Sequence, residues 1–357
     1  MYDLIVIGAG MAGLLAARAA AENGLNVAVI ERKENPSKLD RACGQTIPSM
    51  NEYMFNNICY YNPRDRKVCF STDGFFFRYD GPHQNLYNLI IFTPNGHRVV
   101  FGDYQQRKAM GDFGRVGMAL DKGHMIQNLL DDATALSEKV FTGSPVTNVT
   151  PLKEGVVVEA GGKTFKARYL IAADGVNSRV ASITGFNRER HFYCCYYALS
   201  YYLEGLKFPE HDQMVKLVAY LPEGYVYSYI VPRPYENQFN MLTLSVDPRV
   251  NLEKGAEYFM RSSFSTPWFE GARKLATMSA ICNCYTPIQN PYRDNVIIAG
   301  DAGSTQEMEN TGAMISGWKA GNAVATALLE SKVGCENGGN TAVSGLVATL
   351  LHRSLQP

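Results

Sequence analysis

The sequence predicts an α/β protein, α+β overall, in which one parallel-sheet unit is interleaved along the chain with an antiparallel sheet. Three observations carry that expectation. The chain opens on an apolar run, a glycine-rich turn and an alanine-rich segment, "YDLIVIGAGMAGLLAARAAAENG". Two later apolar runs, "ARYLIAADG" and "DNVIIAGDAG", each end with an Asp beside a Gly. Between them, residues 184–289 read as short aromatic strands separated by turns.

Composition bounds the rest. At 357 residues and 46% hydrophobic content the chain can bury a large core, as two domains or one large α/β unit. Lys and Arg total 34, Asp and Glu 34, and no block of like charge stands out, so nothing argues for nucleic acid or an acidic lipid surface. Eight cysteines in a chain this long do not make a disulfide framework, and no basic and apolar leader precedes the first strand. A reducing, cytoplasmic setting with free thiols is expected. No stretch reaches the roughly 18 uninterrupted apolar residues of a spanning helix, so no membrane span is expected and peripheral association is left open. Aromatics make up 11% of the chain, many of them between Tyr193 and Tyr235. They read either as strand packing or as the lining of an apolar pocket.

Residues 3–7 are an apolar run of strand length, followed at once by Gly8-Ala9-Gly10-Met11-Ala12-Gly13. The alanine-rich stretch that follows is helical and closes at Gly24, which suits a left-handed cap. A second strand, "NVAVIE", ends in Glu31 with Arg32 beside it, at roughly the 20-residue spacing of an acid that contacts a ribose. This is the order of a Rossmann-type FAD/NAD(P)-binding unit. Gly8 permits the tight turn, Gly10 lets the backbone approach a pyrophosphate, and Gly13 lets helix pack on strand. The helix start at Met11 and Ala12 offers N–H groups and partial positive charge to the phosphates. The motif by itself leaves NAD and FAD open.

The two later motifs place Ala173-Asp174-Gly175 and Gly300-Asp301 at strand carboxyl ends, where open α/β sheets bind ligands. With them the sequence resembles flavoproteins of the glutathione-reductase-type FAD fold, shared by aromatic hydroxylases and geranylgeranyl reductases. The resemblance implies FAD, with Asp174 and Gly175 toward the flavin end of the nucleotide. It implies that Asp301, after Gly300, bonds a ribityl hydroxyl. Gly312, Ala313 and Met314 would then start a helix whose N-terminus faces the flavin's pyrimidine edge and favours negative charge on the reduced ring. The resemblance also puts Val146 beside the adenine. An Arg at the start of the helix in "HMIQNLLDDATAL" would face the cofactor; Lys122 stands nearest, with Arg115 as the alternative. Only one GxGxxG is present, so no separate NAD(P) domain is expected. The external electron donor (NAD(P)H, ferredoxin or another protein) visits the same site transiently or is itself a protein.

The expected FAD-binding domain is discontinuous, covering 1–60, 105–183 and 290–335. A substrate-binding β-sheet domain takes 61–104 and 184–289, and 336–357 form a C-terminal helix, as a packing element or a lid.

One loop remains, "RACGQT". Arg41 fits an arginine that aromatic hydroxylases carry against the cofactor. The Cys43-Gly44 pair after it resembles the geranylgeranyl reductases, prenyl-lipid C=C reductases in which a cysteine of this loop lies close to the isoalloxazine. Tyr227-Ser228-Tyr229-Ile230-Val231-Pro232 resembles their Y-x-W-x-F-P element, which packs against substrate, with Tyr229 in place of Trp and Val231 in place of Phe. From the residues alone, Cys43 is a thiolate neighbour or proton donor tuned by Arg41 and the flavin-site helix, or a small side chain chosen for space beside the ring. Tyr227, Tyr229 and Trp318 are pocket-lining residues or core.

Where the resemblance has a proline and small residues, "STQEMEN" brings Glu307, Met308 and Glu309. Cys194-Cys195 and Cys282-x-Cys284 lack the paired spacing of zinc or iron–sulfur sites and read as small buried side chains, so no metal is expected. The expected function is that of an FAD-dependent oxidoreductase, a reductase or dehydrogenase acting on a C=C bond of an apolar substrate, isoprenoids among the candidates, by hydride transfer at flavin N5. A flavin-dependent monooxygenase of the aromatic hydroxylase type and an electron-transfer flavoprotein are the alternatives.

Overall fold

The computed structural model describes residues 1–136, 138–303 and 309–336. Residues 337–357, where the C-terminal helix is expected, lie outside the described residues, as do Ser304, Glu307 and Met308. The chain divides into two compact units: Met1–Lys38, Ile126–Tyr193 and Cys284–Pro357 make the first, Leu39–Met125 and Cys194–Asn283 the second.

The first unit is built on four parallel strand pairings. Tyr2–Ile7 lies between Val27–Ile30 and Lys163–Ala172; Lys139–Phe141 and Val296–Ile298 extend the sheet on either side. These strands read as unbroken apolar runs because both faces are covered: every residue of Val27–Ile30 and of Val296–Ile298 is buried. The first half of Lys163–Ala172 also starts an antiparallel meander with Gly155–Ala160 and Val146–Leu152. One face packs Ile5, Ile7, Ile30, Leu170 and Ile298 with Val146, Val180 and Phe186. A fully buried Ile or Leu there contributes about 1.5–3 kcal/mol relative to exposure.

The helices Met11–Glu22 and Asn310–Glu336 pack against each other, and glycines set how closely. A Cβ on Gly317 would stand 2.1 Å from the Ala12 carbonyl oxygen, and one on Gly321 would stand 2.2 Å from that of Ala16. Alanines on one helix and glycines on the other let backbone meet backbone. The starts of both helices are thereby held against the same strand ends.

The second unit holds a seven-stranded sheet in the order Arg98–Phe101, Leu89–Phe92, Met214–Leu221, Gly224–Pro232, Gln238–Ser245, Phe192–Glu204, Arg273–Tyr285. It is antiparallel except where Leu89–Phe92 runs parallel to Met214–Leu221. Alternation along its strands sends Val215, Leu217, Val226, Ile230, Phe239 and Met241 to one face, against Ala256 and Phe259 of the helix Leu252–Arg261. A three-stranded sheet (Thr46–Pro48, Gly117–Leu120, His83–Leu86) and a four-stranded one (Tyr53–Met54, Asn57–Asn62, Lys67–Phe70, Phe76–Arg78) complete it.

Residues 39–60 and 105–125, expected with the nucleotide unit, fall in the second unit. The reason is long-range pairing: Gly117–Leu120 pairs with Thr46–Pro48, and the Ala42 N–H donates to the Ser279 carbonyl at 3.3 Å. Of the strands in 61–104, only Leu89–Phe92 and Arg98–Phe101 join the large sheet; Lys67–Phe70, Phe76–Arg78 and His83–Leu86 belong to the smaller ones. No helix among the described residues is long and apolar enough to cross a membrane.

Candidate active site

In the first unit the three glycine-bearing turns converge at the carboxyl ends of neighbouring parallel strands. Gly8 follows Ile7 at φ +103, a left-handed value that favours glycine. Its N–H donates to the Ile30 carbonyl at 2.8 Å, and a Cβ there would stand 2.4 Å from the Ala173 carbonyl oxygen. The Ala173 N–H in turn donates to the Ile7 carbonyl at 2.8 Å. The third turn closes the group: the Ala299 N–H reaches the Ala172 carbonyl at 2.9 Å, and a Cβ on Gly300 would meet the Ala12 Cβ at 2.8 Å. Gly300 also donates its N–H to Ser316 Oγ at 2.7 Å, which ties the turn to the helix Asn310–Glu336.

The glycines of the first motif separate into two kinds. Gly8 and Gly13 are required by the chain itself, since a Cβ on Gly13 would stand 1.8 Å from the Gly8 carbonyl oxygen. Gly10 is not: its φ is −82, open to any residue, and among the described residues nothing beyond its two chain neighbours lies within 4 Å of its would-be Cβ. It caps the helix Met11–Glu22 without a side-chain bond. The bare helix start therefore keeps its N–H groups open to an anion. Glu31 is buried beside this turn, its carboxylate accepting the Ala9 N–H and the Lys33 N–H, each at 2.8 Å. Its remaining lone pairs suit ribose hydroxyls. Arg32 is exposed. Bare helix start, glycine cradle and fixed carboxylate together fit the adenosine-diphosphate portion of a dinucleotide such as FAD.

The other expected residues of this unit take varied places. Asp174 accepts the N–H groups of Arg179 at 2.8 Å and Val180 at 3.1 Å and the Ser178 hydroxyl at 2.5 Å. Burial pushes its carboxyl above the usual range, and these bonds oppose the shift. Its carboxylate thus caps the short helix Arg179–Ile183, holding the Ala173–Gly175 turn in shape, with Gly175 at φ +84. Val146 turns its side chain into the core, leaving only its main chain for a ligand. Asp301 is half-buried. Gly312, Ala313 and Met314 occupy the first turns of the helix Asn310–Glu336. Beside them, Glu309 and Thr311 each leave a buried side-chain oxygen without a hydrogen-bond partner among the described residues. Trp318 is half-buried on the same helix.

The second unit gathers Arg41, Cys43, Gly44, Arg115, Tyr227 and Tyr229. Cys43 is half-buried; its carbonyl accepts from Asn240 Nδ2 at 2.8 Å, and its Sγ accepts from the Gln45 N–H at 3.5 Å and from Lys122 Nζ at 3.7 Å. Arg41, the cation expected beside the thiol, instead donates to the Ile281 carbonyl at 3.1 Å. Arg115 is buried, and its guanidinium binds the Asp112 carbonyl and carboxylate and Asn85 Oδ1. These contacts clamp Asp112 and Asn85 within the unit. Gln45 Nε2 bonds the Tyr202 hydroxyl, and the Arg233 guanidinium lies 3.8 Å from the centre of the Tyr202 ring.

Cross-strand register sets Tyr227 opposite Leu244 and Tyr229 opposite Leu242, on the sheet face away from the helix Leu252–Arg261. In the same rows lie Val218 and Lys216, whose Nζ is 4.4 Å from the centre of the Tyr227 ring. Burial pushes the Tyr227 hydroxyl up and the Lys216 ammonium down. Tyr202, Asn240 and Lys216 escape a motif search; the only signal for them is the two-residue period of their strands. Cys194 and Cys195 are half-buried rather than buried, and Cys195 Sγ donates to Asn283 Oδ1 at 3.3 Å. Among the described residues no group of His, Cys, Asp and Glu could hold a metal ion.

The FAD binding domain family matches residues 3–46, the first strand, the turn, the helix and the loop through Cys43. The digeranylgeranylglycerophospholipid reductase of Methanococcus vannielii is 24% identical over 317 residues, 84% of this chain and 70% of that protein. The chain is an FAD-dependent oxidoreductase, similar along most of its length to a digeranylgeranylglycerophospholipid reductase.

Solved structures show how widely this flavoenzyme's fold is shared. A geranylgeranyl bacteriochlorophyll reductase-like protein from Thermoplasma acidophilum superposes with a TM-score of 0.67 at 17% identity, covering 99% of this flavoenzyme and 84% of that chain. The halogenase PltM in complex with phloroglucinol and FAD gives 0.67 at 13% identity, covering 94% and 70%. At these identities the likeness is one of fold.

Proposed function

We propose that the flavoenzyme reduces a carbon–carbon double bond of an apolar, isoprenoid-type substrate, taking electrons from an external donor such as NAD(P)H or ferredoxin in a reducing cytoplasm. The observation that carries the reading is the convergence of the three turns with Gly10 left clear of the chain. The Cys43-Gly44 loop and the sequence relatives named as reductases support the direction of the chemistry.

When bound, FAD supplies the hydride equivalent. The chain supplies everything else. The helix starts at Met11 and Asn310 offer N–H groups to anionic oxygens, and Glu31 accepts from ribose. Tyr227 and Tyr229 with Leu242 and Leu244 offer apolar contact to a hydrocarbon chain on a sheet face that also carries Lys216. The Cys43 thiol, fixed through Asn240 and Gln45, is the proton donor to the second carbon.

The test is anaerobic incubation of FAD-loaded, dithionite-reduced protein with a geranylgeranyl lipid, followed by mass spectrometry. A gain of one H2 per double bond without oxygen is expected. A product that forms only with O2 and carries an added oxygen atom would overturn the reading in favour of a monooxygenase.

A further inference from the structure

We propose that the edge strand Arg98–Phe101 is a self-assembly surface, pairing antiparallel with the same strand of a second copy of this chain about a two-fold axis at Val100. The proposal is independent of the redox reading, since none of its residues belongs to the candidate site.

Arg98–Phe101 ends the seven-stranded sheet and pairs there with one neighbour, Leu89–Phe92. All four of its residues are exposed, Val99, Val100 and Phe101 at 50%, 43% and 51%. The strand carries neither the proline nor the lysine that commonly blunts an edge, and an apolar edge of this kind is a template for another strand.

Hydrogen-bond phase decides which backbone groups look outward. The Thr93 N–H donates to the His97 carbonyl at 2.8 Å and closes the hairpin, and the register continues with Val99 opposite Ile91 and Phe101 opposite Leu89. Bonded pairs alternate along an antiparallel ladder. Val99 and Phe101 therefore turn their N–H and C=O groups toward Leu89–Phe92, and Arg98 and Val100 turn theirs away from the sheet.

Outward residues of one copy must meet outward residues of the other, and Val100 opposite Val100 satisfies this. The same register sets Val99 opposite Phe101 on both sides of the axis, a β-branched and aromatic pair. It sets Arg98 opposite Gly102, whose φ of +88 ends the strand, with the exposed Asp103 next in the chain. Asp103 spends Oδ1 on the Gln106 N–H at 3.0 Å, capping the helix Tyr104–Ala109, while Arg98 makes a loose pair with Glu210 at 3.8 Å. Each copy thus carries a cation at one end of the strand and an anion just past the other. An antiparallel two-fold brings the two charges together at both ends; a parallel arrangement does not. The surface also extends past the strand. Arg107 Nε lies 3.4 Å from a would-be Gly102 Cβ, and its helix ends at the exposed Met110, which adds toward the roughly 1,200 Å² of a specific interface.

The test is sedimentation velocity of the FAD-loaded protein across a concentration series. Wild type is expected to pass from monomer to dimer in the micromolar range. Val100→Pro removes an N–H that the chain's own sheet does not use, and Val100→Lys sets two ammonium groups against each other across the axis. Each is expected to weaken the dimer about tenfold or more. Arg98→Asp is expected to weaken it too, and Arg98→Asp combined with Asp103→Arg to restore it, a rescue that a purely structural role for either residue does not give. Thermal unfolding and flavin content check the fold of every variant; if Val100→Pro unfolds, Val100→Lys, at an exposed position, is read in its place. A wild type that stays monomeric throughout the series, a dimer indifferent to the Val100 variants, or binding to lipid vesicles without self-association overturns the proposal.

Discussion

Gly317 lies directly over Ala12: a Cβ at 317 would stand 2.1 Å from the Ala12 carbonyl oxygen. The helix that comes after the third motif is thus seated on the helix that comes after the first turn, backbone to backbone. A methyl group there must push the helices apart, because its neighbour is main chain and cannot rotate away. Gly317→Ala is expected to lower stability by about 1–3 kcal/mol, the usual cost of overpacking a close contact, and to lower flavin retention with it. Thermal unfolding and flavin absorbance per mole of protein measure both.

Gly10 and Gly13 are expected to separate packing from binding. Gly13→Ala drives a methyl into the Gly8 carbonyl and should cost stability in the flavin-free protein. At Gly10→Val the new Cβ has open space among the described residues and the φ is ordinary, so the flavin-free protein should unfold within about 0.5 kcal/mol of wild type. Its FAD affinity should fall roughly tenfold or more, since about 1.4 kcal/mol of lost contact is a factor of ten. Equal loss of stability in the two variants would show that Gly10 serves packing instead.

Cys43→Ala and Asp301→Ala are expected to fail differently. The first removes a thiol held by Lys122 and Gln45 and should leave flavin content unchanged while turnover falls about 10²-fold, a typical loss for a proton donor. The second alters the turn that follows Gly300, and the protein should elute with less flavin. Flavin content and turnover on the same preparations distinguish the two.

Glu138 predicts a pH dependence of stability. Both its carboxylate oxygens are buried without a hydrogen-bond partner among the described residues, and burial raises its pKa from 4.5 to about 7, with Arg18 opposing and Glu22 adding to the shift. A raised value means that the folded state holds its proton while the unfolded state has lost it. Stability therefore falls as pH rises from about 4.5 to about 7, and the penalty persists above that window. Glu138→Gln should flatten this slope and gain on the order of 2 kcal/mol at neutral pH. A chemical-denaturation series across the window checks it, and an unchanged slope in the variant would refute it.

The parallel core and the first turn were legible because their signals are local. Continuous apolar runs at Val27–Ile30 and Val296–Ile298, glycine at 8, 10 and 13, and Asp beside Gly at strand ends all lie within a few residues of one another. Cys43-Gly44 was legible as a loop of interest for the same reason. What surrounds that loop was not. Lys122 and Arg41 both read as residues facing the cofactor, and only the folded chain shows that Lys122 Nζ also lies 3.7 Å from Cys43 Sγ and that Arg41 donates to the Ile281 carbonyl. Arg115 read as a cofactor contact, and burial with Asp112 and Asn85 turns it inward.

By itself, then, the sequence determined the order of strand, glycine turn and helix, and the chemical class of ligand that such a helix start accepts. Backbone sterics and short-range periodicity specify both, and neither needs a partner distant in the chain. Tertiary structure alone decided how closely the backbone meets Gly8 and Gly317, and which side chain meets Cys43. Those outcomes depend on strand register and helix approach. Contacts across many tens of residues settle them, and no local propensity encodes such contacts.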